Sequence, residues 1–213
     1  MNTLIITGGS INENFLREYL SKNTFDKIIA VDKGLEMLNK LKIGPNYIIG
    51  DFDSVDSKIL KQYENGNIPV TYLKPEKDYT DTHMALKLAI EKCSTNIVII
   101  GAIGTRLDHT MANIHILKEA LDKGIKAKLI NESNEIMLIN NECKIEKNQY
   151  FKYVSIIPLT TKVTDITLKG FKYLLNHATL NIGESIGISN IQIKDTATIE
   201  IKEGIAILIF SKD

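Results

Sequence analysis

Four aspartates fall in two short groups, Asp51 and Asp53 in "GDFDS" and Asp78 and Asp81 in "KDYTD". Carboxylates this close repel one another unless a cation sits between them. Mg2+ suits the role, because it takes one or two carboxylates and completes its shell with phosphate oxygens and water. Asp51 and Asp53 are two residues apart, so in an extended segment they point the same way, as metal ligands would. Asp78 and Asp81 stand three apart at a predicted helix start, where carboxylates equally cap free N–H groups and complement the helix dipole. Lys77, just before them, is a candidate phosphate partner. A third group, "GAIGTRLDH" (101–109), has Gly101 and Gly104 to bring backbone close to a ligand. Its Arg106 can grip phosphate oxygens through two parallel N–H bonds. Asp108 is placed to cap the following helix, and His109 reads either as a satisfied core histidine or as a partner for phosphate or ribose. His83, His115 and His177 read as structural. "GGS" (8–10) is either a tight turn or a place where the backbone at Gly9 and Ser10 approaches a phosphate at a helix start. Asp32 is open between helix cap and ligand contact.

The elements that must position these residues follow from periodicity. Five apolar runs, "LIIT" (4–7), "KIIAV" (27–31), "YIIG" (47–50), "VTYL" (70–73) and "NIVII" (96–100), have the unbroken character of parallel strands buried on both faces. Helical spacing separates them. One helix is predicted in "TDTHMALKLAIEKC", capped by Thr80 or Asp81, with Met84, Ala85 and Leu88 in its apolar stripe. Another is predicted in "DHTMANIHILKEALDKG", with Met111, Ile114, Leu117 and Leu121 inward and Gly124 just past its end. Strand alternating with helix implies a doubly wound α/β domain over residues 1–130. Every polar group named above lies directly after one of the five strands. A parallel sheet gathers those ends along one edge, where open α/β sheets bind ligands. From residue 131 to 213 the rhythm changes to short strand candidates, "NEIMLIN", "YVSIIPL", "KVTDITLKG", "TATIEIKEG" and "IAILIF", and an all-β sandwich is predicted. "KAKLIN" (126–131) serves equally as the last strand of either half.

Composition narrows the chemistry further. Lys and Arg total 26 and Asp and Glu total 26, a zero net charge that argues against a general nucleic-acid binder but not against a small anionic ligand. Cys93 and Cys143 have no CxxC or histidine-rich company and read as free thiols of a cytoplasmic protein. No apolar run is long enough to span a membrane, and no targeting segment is visible. A Walker A loop, a GxGxxG fingerprint and a serine nucleophile elbow are all missing from the sequence. The residues alone therefore point to a metal-dependent site for a phosphorylated ligand, with phosphoryl transfer or hydrolysis as the leading chemistry.

Taken together, "AVDKG" (30–34), "GDFDS", "KDYTD" and "GAIGTRLDH", with Asn113 a turn later, resemble the thiamine pyrophosphokinase (thiamine diphosphokinase) family over nearly the whole chain. "GISN" (187–190) is similar to a Ser-Asn element of that family's thiamine pocket. Thr105 departs from the pattern, since the family often has a second glycine there. The resemblance implies transfer of the diphosphate of ATP to the hydroxyethyl group of thiamine, with release of AMP. It implies Mg2+ held by Asp51, Asp53 and Asp81 with Asp78 nearby, and a nucleotide held by Arg106, Asp108, His109 and their neighbours. It further implies thiamine near Ser189 and Asn190, between two subunits of a homodimer. Two other functions fit the acidic motifs: a nucleotide-sugar transferase with an Asp-x-Asp site, and a non-catalytic nucleotide sensor whose β-half binds a partner protein.

Overall fold

A computed structural model describes residues 1–74, 76 and 78–213. The chain divides into two compact units, Met1–Glu132 and Ser133–Asp213.

The first unit alternates strand and helix throughout: β1 (Asn2–Ile6), α1 (Glu13–Lys22), β2 (Lys27–Val31), α2 (Gly34–Leu41), β3 (Tyr47–Gly50), α3 (Ser57–Glu64), β4 (Val70–Tyr72), α4 (Asp81–Glu91), β5 (Asn96–Ile100), α5 (Leu107–Asp122) and β6 (Lys126–Ile130). All its pairings are parallel, in the spatial order β4-β3-β2-β1-β5-β6. Leu4, Ile5 and Ile6 of β1 are wholly buried, as are Ile29 and Ala30 of β2 and Ile99 of β5. A strand covered by helices on both faces has no polar side to alternate with, which explains the continuous apolar runs of the inner strands; β4, at the sheet's edge, departs from that expectation, with Thr71 and Tyr72 exposed. Four of the five helices pack in two pairs. α2 packs beside α3, and α4 packs beside α5 and against β1, β2 and β3. "KAKLIN" belongs here, because β6 pairs in parallel with β5 from Asn96↔Lys126 to Ile100↔Ile130.

The second unit is antiparallel: β7 (Asn134–Ile139), β8 (Cys143–Glu146), β9 (Tyr153–Pro158), β10 (Lys162–Lys169), β11 (Ala178–Asn181), β12 (Thr196–Glu200) and β13 (Ala206–Ser211). β13 pairs with β7 and β9, and the other strands are ordered β11-β10-β12-β8. Val163, Ile166, Phe171, Leu180 and Ile199 form the centre of its core. Neither Cys93 nor Cys143 is joined in a disulfide, and no helix among the described residues is long and apolar enough to cross a membrane.

Candidate functional site

β1 lies between β2 and β5, and chain connections leave it in opposite directions across the sheet. Such a crevice at the carboxyl ends of parallel strands is the usual ligand site of an open α/β sheet. Here the loops after β1 and β5 run in backbone contact. A Cβ on Gly9 would stand 2.0 Å from the Gly101 carbonyl oxygen, and Gly101 itself has φ +84°. The loops after β2 and β3 are equally close, since the Asp32 carboxylate lies over Gly50, where a Cβ would be 2.0 Å from Asp32 Oδ1. Asp32 has φ 47°. Above these contacts opens a cleft of about 560 Å3, a volume suited to a small-molecule ligand. Gly9, Ser10, Asp32, Asp81, Arg106, His109 and Asn113 all line it, so residues read from four separate strand ends meet in one place. Asp51, Asp53, Asp78 and Asp108 are not among its lining residues, although Ser54 of "GDFDS" is. Lys77 lies outside the described residues.

Helix starts give the cleft its polarity. Asn12, Asp56 and Thr80 cap α1, α3 and α4 through their side chains, as the cap preference predicts. α2 and α5 begin at the cleft, and neither has a side-chain cap; Lys33 and Arg106 occupy their N-cap positions. In α2 the Leu35 and Glu36 N–H groups turn to the Asp32 and Lys33 carbonyls at 3.0 and 3.1 Å, and in α5 the His109 N–H serves Asp108, so what both starts offer an anion is chiefly the positive end of the helix dipole. Asp108 does not cap α5 as expected. It lies in the first turn, because Arg106 already holds the cap position, and its carboxylate serves the arginine instead. Arg106 Nη2 and Nε donate to the two Asp108 oxygens at 2.6 and 3.3 Å. The Arg106 guanidinium, aided by the His109 backbone N–H, pulls the exposed Asp108 carboxyl down to about 2. Thr110, which the motifs do not single out, ties the loop together. Its hydroxyl lies 3.2 Å from the Gly104 nitrogen and the Arg106 oxygen. Asn113 is buried and donates to the Ala102 carbonyl at 2.9 Å, fixing the same loop from inside α5. His109 is exposed, which removes the core-histidine alternative.

"GDFDS" differs from the extended segment expected for it. Phe52 is buried edge-on against Tyr72, with ring centroids 5.1 Å apart, and takes φ 61° to get there. The chain turns as a result, and the Asp53 N–H donates to Asp51 Oδ1 at 3.2 Å. The two carboxylates are therefore related by a turn rather than by strand alternation. Among the described residues no three His, Cys, Asp or Glu side chains gather as a metal cluster. The donor chemistry nevertheless fits Mg2+, which asks for one or two hard carboxylates beside phosphate oxygens. Asp81 supplies one from the first turn of α4 inside the cleft, while Asp51 and Asp53 stand three and one residues before Ser54, the residue of "GDFDS" that lines it. Behind Asp81, α4 is braced on α5. His83 Nε2 lies 2.9 Å and Lys87 Nζ 3.2 Å from Glu119; the His83 ring meets Tyr79 edge-on and the Lys87 ammonium sits over the Tyr79 ring. Burial pushes the Glu119 carboxyl up, but the bonds from His83 and Lys87 outweigh it and hold the group below its ordinary value.

In the second unit Asn190 is buried and its side-chain amide bonds through both its oxygen and its nitrogen. It accepts from the Tyr173 and Ile191 N–H groups at 3.0 and 2.9 Å and donates to the Tyr173 carbonyl at 2.6 Å. Ser189 has φ 57°, is exposed, and donates its N–H to Ser155 Oγ at 2.9 Å. Asn190 is thus a brace between two loops, and Ser189 carries the side chain that faces outward. His177 bonds to Asp165 on the same unit.

Two family models match the chain: "Thiamin pyrophosphokinase, catalytic domain" over residues 17–129, and "Thiamin pyrophosphokinase, vitamin B1 binding domain" over residues 141–206. The thiamine pyrophosphokinase of Bacillus subtilis (strain 168) is 37% identical over 186 residues, covering 87% of each protein. Among solved structures, thiamine pyrophosphokinase from Bacillus subtilis superposes with a TM-score of 0.90 at 33% identity, covering 100% of both chains. The enzyme from Geobacillus thermodenitrificans gives 0.88 at 30% identity, covering 100% of this chain and 98% of that one.

Proposed function

The chain belongs to the thiamine pyrophosphokinase family, and from that membership we propose that its first-unit cleft holds the polyphosphate of ATP while the second unit helps to hold thiamine. As a member it is an ATP:thiamine diphosphotransferase, forming thiamine diphosphate and AMP. A nucleotide-sugar transferase or a passive nucleotide sensor leaves the match of a vitamin B1 binding domain without an explanation.

In the reaction the thiamine hydroxyl oxygen bonds to the β-phosphorus of ATP. The bond from that phosphorus to the oxygen bridging to the α-phosphorus breaks, AMP leaves with the electron pair, and the hydroxyl proton is released. Such a transfer asks a protein for in-line positioning and charge neutralisation more than for a nucleophile of its own. The Gly9 and Ser10 backbone and the uncapped start of α5 receive phosphate oxygens, with Arg106 above them held in a fixed fork by Asp108. His109 and Asp32 border the nucleotide, Asn113 keeps the 101–106 loop in place, and Lys77 adds a positive charge. Asp51, Asp53 and Asp81 would hold Mg2+, with Asp78 nearby. The metal, when bound, neutralises phosphate charge and polarises the phosphoryl group being transferred. Ser189 contacts thiamine, and Asn190 holds the loop that presents it. The single observation that carries the polyphosphate assignment is the crevice itself, where two loops meet at backbone contact beside two uncapped helix starts.

The working unit is proposed to be a homodimer. Tyr173, Leu174, Ile182, Ile186, Ile188 and Ile193 are exposed apolar side chains of the second unit that a second copy would cover. Two cysteines outside any disulfide agree with a cytoplasmic location. The deciding experiment incubates the protein with ATP, MgCl2 and thiamine and resolves the products. AMP and thiamine diphosphate in equal amounts are expected, and ADP or thiamine-independent ATP consumption would refute the assignment.

A further inference from the structure

Lys33 lies within "AVDKG", next to Asp32, and it lines the cleft at the N-cap of α2. Its Cβ packs beside the β1 loop, 3.4 Å from where a Cβ on Gly8 would stand, so the base of its side chain is fixed against "GGS". The ammonium is exposed and makes no ion pair or side-chain hydrogen bond among the described residues. The cleft's other permanent cation among those residues, Arg106, is already committed to Asp108 at 2.6 Å. A cation on an uncapped helix start repels the positive end of the helix dipole. That placement is unfavourable for the empty fold and favourable only when an anion arrives between them. Asp32 and Asp81 also line the cleft and oppose a polyphosphate, which sharpens the need for a cation not yet neutralised.

We infer that Lys33 is a substrate-contacting residue that binds the polyphosphate of ATP from the β2 side of the crevice, opposite Arg106 on the β5 side. This rests on the assignment of the cleft to ATP. The two cations then form a clamp astride the β1 loop, and the pair sets how far a chain of phosphates must extend to touch both.

Calorimetric titration of the full chain with ATP and Mg2+, without thiamine, tests the assignment. Lys33→Met is expected to weaken ATP binding roughly ten- to a hundredfold, the usual value of a charge-assisted hydrogen bond. Lys33→Arg should stay within a few-fold of the native protein, and the KM for thiamine should be the same in all three. An ATP affinity for Lys33→Met within about twofold of native overturns the inference, as does a raised thiamine KM with unchanged ATP affinity. Native protein that forms AMP while Lys33→Met binds ATP normally removes the Lys33 role alone. Native protein that forms no AMP removes the functional assignment and the Lys33 role together.

Discussion

Gly9→Ala adds one methyl group at the narrowest point of the crevice. That carbon would stand 2.0 Å from the Gly101 oxygen and 3.1 Å from its carbonyl carbon. A relaxed carbon-to-oxygen contact needs roughly 3.3 Å, so one loop must withdraw by about 1.3 Å. No side chain can rotate aside to absorb this, because both partners are backbone. Gly101 cannot yield easily either, since its own Cβ position is 2.7 Å from the Thr7 carbonyl oxygen and its φ is +84°. Overpacking of this kind costs about 1–3 kcal/mol, at roughly 2–4 °C of melting temperature per kcal/mol in a chain this size. A displacement of about 1 Å among groups that position a substrate costs on the order of a hundredfold in turnover. The assay pairs a thermal melt with thiamine-dependent AMP release. Gly104→Ala, in the same 101–106 loop, is the control, because nothing lies within 4 Å of its Cβ position. It should melt like the native protein, and any loss of turnover there reports contact with substrate. Gly9→Ala with native melting temperature and native turnover would show that the two loops do not depend on their contact.

Asp51→Asn and Asp53→Asn should fold normally but lose activity by about a hundredfold or more, the remainder needing more Mg2+; near-normal turnover at low Mg2+ in either variant removes that residue from the metal site. Ser189→Ala should raise the KM for thiamine with an unchanged melt, whereas Asn190→Ala should also lower the melting temperature, because it leaves the Tyr173 N–H and carbonyl without their partner; identical behaviour of the two would contradict the distinction. The Asp108 carboxyl titrates at about 2 against an ordinary 3.8, so the folded state favours its charged form. Its pairing with Arg106 should be complete above about pH 4 and lost as pH falls through about 2. Carbon-13 NMR should show this midpoint, and Arg106→Gln should return it toward 3.8; an ordinary midpoint in the native protein would mean that the fork is not formed in solution.

The inner strands of the first unit are legible because burial on both faces writes an apolar run that needs no partner to be recognised. "KIIAV", "YIIG" and "NIVII" coincide with β2, β3 and β5. The Thr80 cap and Gly124, at φ +69°, are equally local signals, the one a hydroxyl on an N–H and the other a left-handed turn. Other features depend on tertiary context. Met111 is 49% exposed, and α5 buries Asn113, Ile114, Leu117 and Ala120 instead; small and polar residues were able to face inward because α4 and the 101–106 loop lie there. β8 and β11 are four residues long with one buried side chain each, Ile145 and Leu180, too short for alternation to show. The turn in "GDFDS" depends on where Phe52 finds Tyr72, which no spacing rule states. The convergence of the strand ends was legible from topology alone, but the Thr110 tie and the engagement of the Asn190 amide needed coordinates.

The β1–β5 pairing also sets an order of events. Residues 2–6 lie beside residues 96–100, and buried Thr3 and Ser94 share a hydrogen bond across a sequence separation of 91. Pairing β1 with β2 closes a short loop, whereas pairing it with β5 must wait until three further strands and their helices are threaded, with the larger entropy of a long closure. Until then the central strand has one bare edge, open to mispairing with another chain. The crevice proposed to hold the nucleotide is therefore expected to form only after this long closure, and a nucleotide present during folding should stabilise only the chain that has completed it.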